Sequence, residues 1–477
     1  MKKYIKILAG VLISTLLACD PGEFDDINKN PNAPSTVNVE ALFANGLFST
    51  GGTNSSMALW TQQMSRTYYT SESHYETFRG NFAGVYSGPL MDLQFIIDLE
   101  DPQEIYGNIK AASKILQAYF YLITVDTFGP VPFSEALQGT ANLTPKYDAE
   151  KDIYAGVLES LAQGEAALDE SKGAIGGDPM LGGDVAHWKK FANSLIMQAA
   201  VRISDTDLAQ AKTYFAEAYA RGGIVDVSDN INYLHFDKDG QRNFWFTDKS
   251  GRFDYAPSDI FVDFMEKTND PRIDAFINSP TDYNPAEDPE EGKYVGMPYG
   301  LKQAEASAFS KSTISSFGTY INSADTPMPV LTASQTWLNI AEAASLGWIS
   351  GITAKEAYEK GVRSSMEQFD VTEETLIDEY LKGSSIAWQD SKSKELLGNQ
   401  KWVSLFFQPY DAWRAWRKFD FPVLTPTPNA VNPTKKIPVR LAYGNGETVE
   451  NAKVYEVGVK LLGGEDNEAT RLWWDKF

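Results

Sequence analysis

The stretch Lys114-Ile-Leu-Gln-Ala-Tyr-Phe-Tyr-Leu-Ile-Thr-Val-Asp-Thr-Phe-Gly-Pro-Val-Pro-Phe-Ser-Glu-Ala-Leu137 predicts one long helix that ends at a rigid turn. Apolar side chains recur every three or four residues, which places them on one face of a helix. They are Ile105, Ile109, Ala112, Leu116, Tyr119 and Ile123. Gly129, Pro130 and Pro132 then end the helix, because proline lacks an amide donor and disfavours helical backbone in the residue before it. Such an apolar face needs other helices to cover it, so we predict a mainly α fold.

Two later segments resemble each other position for position. The first has Ala211-Lys212, Phe215 and Ala218, the second has Ala354-Lys355, Tyr358 and Gly361, and each follows a helix rich in small residues, at Phe191 to Ala200 and Trp337 to Ala344. Small residues at this spacing let an aromatic side chain of the paired helix approach closely, which is typical of tetratricopeptide-like helical hairpins. Chance likeness between two alanine-rich helices is the alternative.

The region between these two copies, about residues 226–326, loses helical periodicity and is rich in Gly, Pro, Asn and aromatic residues. So long an irregular stretch is usually functional. We therefore predict a single domain over residues 39–477, with a helical scaffold at about 39–225 and 327–420 that carries a loop-rich ligand-binding insertion. A tail over residues 421–477 should dock on the body through Trp473 and Trp474.

The N-terminal segment predicts export. Lys2, Lys3 and Lys6 precede an apolar run from residue 7 to residue 17, which is too short to span a bilayer, so residues 1–18 have the layout of a signal peptide. Cys19, the one cysteine of the chain, stands where bacterial lipoprotein signals place the residue that is lipidated. An incidental thiol is the alternative. Residues 19–38 are acidic and rich in Pro and Asn, which predicts a flexible tether.

Charge and composition exclude several classes of function. The formal net charge of −22 argues against nucleic acid, which needs clustered Lys and Arg, and leaves the lipid anchor as the expected membrane contact. Three isolated histidines and no second cysteine argue against a transition-metal site or a cysteine nucleophile, and no phosphate-binding loop is present. We therefore expect no enzyme, no metal and no cofactor. The acidic stretch 282–291 lacks the spacing of a defined calcium loop.

Aromatic loops are the remaining candidate for function. A flat ring can cover the apolar face of a sugar while amides and charged groups bind its hydroxyls. One loop spans residues 67–82 and the others lie within residues 240–300. The predicted ligand-binding residues are Tyr68, Tyr69, Tyr75, Phe78, Arg79, Asn81, Phe82, Trp245, Tyr294 and Tyr299. The alternative for each ring is that it folds back into the core.

Several collinear motifs over the whole mature chain resemble the SusD/RagB-like family of Bacteroidota outer-membrane nutrient-binding lipoproteins. They are Asp26-Ile-Asn-Lys-Asn-Pro-Asn, Val125-Asp-Thr-Phe-Gly-Pro-Val-Pro-Phe-Ser-Glu-Ala-Leu, Trp188-Lys-Lys-Phe-Ala-Asn-Ser-Leu, Asn269-Asp-Pro-Arg-Ile, Ala341-Glu-Ala-Ala-Ser-Leu-Gly-Trp, Trp413-Arg-Ala-Trp-Arg, and Leu461-Leu-Gly-Gly-Glu-Asp to Trp473-Trp-Asp-Lys.

This resemblance implies a non-catalytic lipoprotein on the outer face of the outer membrane. It also implies a partner, a SusC-like TonB-dependent transporter, over which the protein closes as a lid that delivers an oligosaccharide. The acids from Asp20 to Asp26 look like the family's surface-export signal, although the basic residue often found there is missing. The alternatives are a peptide ligand, a surface glycoside hydrolase that uses two carboxylates, and a purely structural scaffold.

Overall fold

The computed structural model describes residues 37–52, 55–76, 79–238, 240–285 and 292–476. The described residues from Glu40 onward form one compact unit. Cys19, most of the tether and Phe78 lie outside the described residues, as does most of the acidic stretch 282–291.

Helices dominate the described residues, and the predicted mainly α fold is confirmed. They are α1 (Val39–Phe48), α2 (Ser55–Trp60), α3 (Ala83–Val85), α4 (Met91–Asp98), α5 (Gly107–Phe128), α6 (Glu150–Ala167), α7 (Val185–Arg202), α8 (Leu208–Arg221), α9 (Phe244–Ser250), α10 (Asp259–Thr268), α11 (Ile273–Phe276), α12 (Gln303–Ala306), α13 (Ala333–Ser345), α14 (Ala354–Gln368), α15 (Glu374–Lys382), α16 (Ser393–Ser404), α17 (Pro409–Phe419), α18 (Asn445–Glu450) and α19 (Ala452–Leu462).

Short strands join distant parts of the chain in two-stranded pairs. The strands are β1 (Met64–Arg66), β2 (Arg79–Gly80), β3 (Val131–Pro132), β4 (Tyr147–Asp148), β5 (Ile231–Tyr233), β6 (Tyr255–Pro257), β7 (Ile277–Asn278), β8 (Ser316–Phe317), β9 (Met328–Leu331) and β10 (Ala442–Tyr443). Antiparallel pairs join β1 to β6, β3 to β4, β5 to β9 and β7 to β8, whereas β2 and β10 are parallel.

Helix α5 is the central helix that the opening stretch predicts, and it ends at Phe128 with Gly129 at φ 85°. Two details differ from the prediction. Ile105 precedes the helix and is 64% exposed, because the Asp101 carboxylate binds its amide and holds a turn there. The helix is also buried on nearly all sides rather than along one stripe, since α4, α6 and α7 all pack against it.

Both predicted helical hairpins are present. Helix α8 packs on α7, and α14 packs on α13, so the tetratricopeptide-like arrangement is confirmed. Phe215 and Tyr358, which occupy matching positions, are both fully buried. Gly361 is required for close approach, because a Cβ there would lie 2.8 Å from the Leu338 side chain. Helix α7 also packs on α13, which joins the two hairpins.

A buried polar cluster holds four helices together, and we call it the Asp126 junction: Asp126 of α5, Tyr154 of α6, Arg202 of α7 and Arg414 of α17. Arg202 Nη1 lies 2.8 Å and Arg414 Nη1 lies 3.3 Å from Asp126 Oδ2, and the Tyr154 hydroxyl donates to the same carboxylate. Because every member is buried, the Asp126 junction is part of the scaffold rather than of a ligand site.

The C-terminal residues dock on this scaffold, as predicted. Trp474 is fully buried, and the Trp473 ring lies 6.1 Å from that of Tyr154. The Trp473 amide donates to both carboxylate oxygens of Glu150, at 3.1 and 3.0 Å. Over the ranges that the structure describes, no helix combines the length and the apolarity needed to cross a membrane.

Candidate functional site

Strands β1 and β6 bring two aromatic loops together. Arg66 pairs with Tyr255 in the antiparallel register, and the Thr67 amide continues the pairing by donating to Asp254 O at 2.9 Å. The Thr67 hydroxyl also donates to Phe253 O. These contacts place the segment that follows residue 66 beside the segment that precedes residue 256. The two loops that the sequence predicts as ligand-binding therefore meet at this edge.

Two exposed tyrosines, the exposed Arg252 and the buried Arg66 beneath them form a cluster there, which we call the tyrosine platform: Tyr68, Tyr69, Arg66 and Arg252. The tyrosines are 47% and 50% exposed, and their ring centroids lie 4.8 Å apart in an edge-to-face arrangement. Arg252 Cζ lies 5.4 Å from the Tyr68 centroid and 4.7 Å from the Tyr69 centroid, and Arg66 Cζ lies 5.7 Å from the Tyr69 centroid. These arginines fix the rings while leaving aromatic surface in solvent.

Backbone strain marks the same loop. Tyr69 (φ 55°) and Tyr75 (φ 59°) both occupy the left-handed region, and they flank the short 3₁₀ helix Thr70–His74. Phe253, on the facing loop, has φ 65°. A non-glycine residue in this region costs about 1–3 kcal/mol, and such residues concentrate at binding sites. The loop geometry is therefore held by the contacts between the two loops rather than by local preference.

A cavity of about 370 Å³ lies near the platform, and we call it the hydroxyl cleft. Its polar side comes from the end of α1 and the start of α2, and its aromatic and aliphatic side comes mainly from α5. Its lining residues are Ser49, Thr50, Gly52, Ser55, Val85, Tyr119, Phe120, Ile123 and Tyr410. A smaller cavity of about 60 Å³ shares Thr50, Gly52, Tyr119 and Tyr410 with it and continues to Gln408 and Asp411. This volume and this mixed lining are typical of small-molecule sites.

Hydroxyl groups in the cleft are neutral and able to accept hydrogen bonds. Ser49 Oγ donates to Asn45 O at 3.0 Å, and Thr50 Oγ1 donates to Leu47 O at 2.7 Å, which leaves lone pairs on both oxygens for a ligand. Burial raises the pKa of Tyr119 well above its usual value, so its phenol stays protonated. The cleft therefore offers hydroxyl groups beside aromatic rings.

Tyr255 connects the cleft to the platform. Its hydroxyl lies 2.8 Å from Ser55 Oγ, on the cleft, and 3.3 Å from Glu72 Oε2, on the platform loop. Arg66 Cζ lies 4.2 Å above the Tyr255 ring, and Arg66 Nη2 lies 3.2 Å from Glu72 Oε1. Burial raises the pKa of Tyr255 to about 12, so the hydroxyl remains a donor at neutral pH. One buried side chain thus separates two surfaces that a single extended ligand could use.

Several residues that the sequence predicts as ligand contacts point inward. Trp245 is fully buried, with its ring 5.3 Å from that of Phe317. Tyr75 is 1% exposed and its hydroxyl accepts from Gln62, while Phe82 is 5% exposed and packs 5.2 Å from Phe128. These three rings have no surface to offer a ligand, because each fills a core that the surrounding helices would otherwise leave open. Phe244, 38% exposed and next to Trp245, is the ring of that segment that reaches solvent.

Tyr299 and Tyr294 are also engaged by the protein. The Tyr299 hydroxyl donates to Leu59 O at 2.6 Å, and burial raises its pKa well above the usual value. The Tyr294 hydroxyl donates to Asp274, and Lys293 Nζ lies 4.7 Å from the Tyr294 ring centroid. The Tyr294 ring packs against the aromatic core of the insertion, so neither tyrosine joins the platform.

Arg79 and Asn81 lie with the C-terminal region rather than with the tyrosine pair. Arg79 Nη1 donates to Tyr443 O at 2.9 Å and to Asp466 Oδ2 at 3.1 Å, and Asn81 Oδ1 accepts from the Ala83 amide at 2.8 Å. The parallel pairing of β2 with β10 explains this placement. Of the predicted residues that the structure describes, Tyr68 and Tyr69 are the pair whose rings are brought together in solvent.

Sequence reasoning missed the cleft. Its serine and threonine hydroxyls belong to Ser49, Thr50 and Ser55, in a stretch of sequence whose Gly, Ser and Thr content is typical of a turn between two helices. Gly51 is needed there, because a Cβ would lie 2.3 Å from the Tyr233 ring. That Gly/Ser/Thr-rich run was the available signal for a hydroxyl-lined turn. Tyr119 was assigned to the buried face of α5, and nothing in the sequence placed Tyr410 opposite it.

The residues that the structure describes include no group of three or more His, Cys, Asp or Glu side chains arranged to hold a metal ion. Another cavity, of about 320 Å³, lies where α13, α16 and α17 meet. Its charged groups are already paired within the protein, since Lys418 donates to Ser204 and Asp205, and Glu342 pairs with Lys401. The platform and the hydroxyl cleft combine exposed rings with a hydroxyl-lined cavity, which makes them the better candidate for a ligand site.

Solved structures share this fold. A chitin-binding protein is 26% identical, with a TM-score of 0.81 over 92% of this chain and 100% of its own. A chitin-binding SusD homologue from Flavobacterium johnsoniae is 21% identical, with a TM-score of 0.80 over 92% of this chain and 98% of its own. A SusD homologue from Bacteroides fragilis NCTC 9343 is 23% identical, with a TM-score of 0.79 over 92% of this chain and 100% of its own. No curated protein sequence matches the chain.

A sequence model of the SusD-like family, described as starch-binding and associating with the outer membrane, matches residues 31–444. The match covers most of the chain and spans the platform, the cleft and the Asp126 junction. This agrees with the resemblance carried by the sequence motifs and with the shared fold of the solved structures. The chain therefore belongs to the SusD-like family of glycan-binding, outer-membrane-associated proteins.

Proposed function

We propose that this protein is a non-catalytic, lipid-anchored lid on the cell exterior that binds an oligosaccharide and delivers it to a SusC-like TonB-dependent transporter. Its ligand lies across the tyrosine platform and enters the hydroxyl cleft. Cys19 carries the lipid, and the protein touches the membrane through that anchor only. The family's association with starch and with the outer membrane supports the class of ligand and the compartment.

The observation that carries the proposed ligand class is the combination of exposed rings with a hydroxyl-lined cavity. Tyr68 and Tyr69 present faces that can cover the apolar side of a sugar ring. Ser49, Thr50 and Ser55 add hydroxyl groups within the cavity of about 370 Å³. The chitin-binding relative at 26% identity supports a sugar ligand over the peptide alternative.

A non-catalytic role fits the family, whose members are binding proteins rather than enzymes. The carboxylates of the platform are also engaged with arginines, since Glu72 pairs with Arg66 and Asp254 with Arg252. Glu72 and Asp254 therefore do not form a pair of free carboxyl groups that face one ligand position, as a glycoside hydrolase requires.

The binding test uses the mature chain from residue 20 and a panel of labelled starch- and chitin-derived oligosaccharides. We expect one or more of them to be retained intact. Cleavage of an oligosaccharide would favour a hydrolase, and preferential retention of peptides would favour the alternative ligand. If neither oligosaccharides nor peptides were retained, the proposal would be overturned.

A cavity-filling variant tests the cleft itself. Ser49→Phe places a ring in the cleft and should weaken retention about ten-fold or more. Ser384→Phe adds the same ring to an exposed turn of the scaffold and should leave retention unchanged. Equal retention by both variants would show that the ligand does not enter the cleft.

The membrane proposal has its own tests in cells. Cys19→Ala should release the protein from the membrane fraction, whereas persistent attachment would refute the lipid anchor. Gentle solubilisation of the wild-type protein should recover the TonB-dependent transporter with it, and recovery of the protein alone would contradict the proposed partner.

A further inference from the structure

Within the described part of the chain, each cation that lies against a ring of the tyrosine platform is bound by a carboxylate. Arg252 donates through Nε to Asp254 Oδ1 at 2.6 Å and through Nη2 to Asp254 Oδ2, and its Nη1 lies 3.3 Å from the Tyr69 hydroxyl. Arg66 Nη2 lies 3.2 Å from Glu72 Oε1. The platform therefore offers rings and polar groups, but neither arginine is free to bind an anionic ligand.

A third carboxylate lies behind this surface. Asp248 accepts the backbone amides of Asp254 and Tyr255, each at 3.0 Å, which fixes the loop that carries Arg252. Three carboxylates, Glu72, Asp254 and Asp248, therefore lie around the two arginines of the platform. An incoming carboxylate or sulfate would be placed beside Glu72, whose side chain is 39% exposed, without a cation of its own.

The described residues that line the hydroxyl cleft are all uncharged. Its polar groups are hydroxyls of serine, threonine and tyrosine, and the smaller cavity that continues from it adds Asp411. Asp411 is itself bound by Arg414 and Gln198. An anionic substituent that entered the cleft would lose its hydration without gaining a positive partner, which is costly even when hydrogen bonds are available.

We propose that the site selects uncharged sugar chains and excludes chains that carry carboxylate or sulfate groups, an inference that rests on the proposed glycan-binding function. Local pairing of the arginines and the uncharged lining of the cleft produce the selection. The net charge of −22 adds a longer-range repulsion that salt screens.

The test compares three forms of one oligosaccharide: the neutral parent that the protein binds in the panel, the same chain oxidised at C6 to its uronic acid, and the methyl ester of that acid. We expect the uronic acid to bind at least ten-fold more weakly than the parent, and the methyl ester to recover most of the loss. Raising the salt concentration should reduce the difference in affinity between the parent and the uronic acid without removing it.

A charge variant locates the selection. Asp254→Asn removes the carboxylate that binds Arg252. This variant should reduce the difference in affinity between the uronic acid and its methyl ester. Asp378→Asn makes the same charge change on the scaffold, where Asp378 pairs with Arg363, and should leave this difference as it is in the wild type. The comparison of the three sugars in the wild-type protein stands even if Asp254→Asn does not fold.

Each outcome separates this inference from the proposed function. The proposed selection would be overturned if the uronic acid bound as tightly as its methyl ester. It would also be overturned if an acidic polysaccharide bound while every neutral oligosaccharide failed to bind. Either result would leave glycan binding in place. Failure to bind any glycan, neutral or acidic, would overturn the proposed function and this inference with it.

Discussion

The Asp126 junction and the tyrosine platform are built from the same chemical groups but differ in burial. Each combines two arginines with carboxylate and tyrosine side chains. In the junction, the side chains of Asp126, Arg202 and Arg414 are 2%, 9% and 3% exposed, whereas the platform sets a buried Arg66, 4% exposed, beneath an Arg252 that is 58% exposed. A closed network of this kind joins helices, and an open one leaves ring faces available for a ligand.

The largest effect is expected at the junction. Asp126→Ala leaves Arg202 and Arg414 buried without their shared carboxylate, which should lower the free energy of unfolding by about 3–5 kcal/mol. Denaturant unfolding measures it. Arg252→Ala breaks the corresponding ion pair of the platform and should shift the unfolding midpoint much less. Equal losses in the two variants would remove the distinction between the regions.

A second effect, which depends on pH, comes from the buried carboxyl group under the C-terminal residues. Burial raises the pKa of Glu150 from 4.5 to about 8, with the Trp473 amide opposing the shift. Between these two pH values, Glu150 is protonated in the folded protein and ionised in the unfolded chain. This contribution is fully present below about pH 4.5, declines as pH rises, and is gone above about pH 8.

Thermal unfolding between pH 5 and pH 9 tests this dependence. Glu150→Gln should remove a slope that reaches about 1.4 kcal/mol per pH unit for one proton. Asp475, whose pKa burial raises to about 6, contributes in the same direction at lower pH, so the comparison is best made above pH 6. If stability changed with pH by the same amount in the wild type and in Glu150→Gln, the proton would belong to a group other than Glu150.

The smallest effect isolates the strain at the platform. Tyr69→Ala and Tyr69→Gly both remove the ring and should weaken glycan binding equally. Because Tyr69 has φ 55°, glycine should be more stable there than alanine, by about 1 kcal/mol. Differential scanning calorimetry of the two variants measures the difference. Greater stability of the alanine variant would show that the left-handed backbone is not maintained.

Sequence periodicity predicted the scaffold well because the spacing of apolar residues along a helix determines which face packs against its neighbours. The apolar positions of α5, the proline turn after Phe128 and the two hairpins with Phe215 and Tyr358 all depend on steps of three or four residues. The full burial of α5 was beyond that reasoning, since it depends on how many neighbours surround the helix. The same is true of Asp126, whose partners lie on three other helices.

The site was predicted only in part, because composition does not tell which ring of an aromatic loop faces solvent. Tyr68 and Tyr69 reach solvent and Tyr75 does not, although all three lie within eight residues in one loop. The difference follows from the pairing of β1 with β6, which the short strands Met64–Arg66 and Tyr255–Pro257 do not reveal in sequence. Trp245 was predicted as a ligand contact from its position in an aromatic loop, whereas its large ring fills the core.

The most direct test of the central claim is calorimetric titration of a retained oligosaccharide into the double variant Tyr68→Ala/Tyr69→Ala. Phe95→Ala, which removes a 43% exposed ring from α4, is the matched control. We expect the double variant to lose at least ten-fold in affinity with its unfolding midpoint close to that of the wild type, and Phe95→Ala to bind within two-fold of the wild type. Wild-type affinity in the double variant would contradict the assignment of the tyrosine platform as the glycan-binding surface.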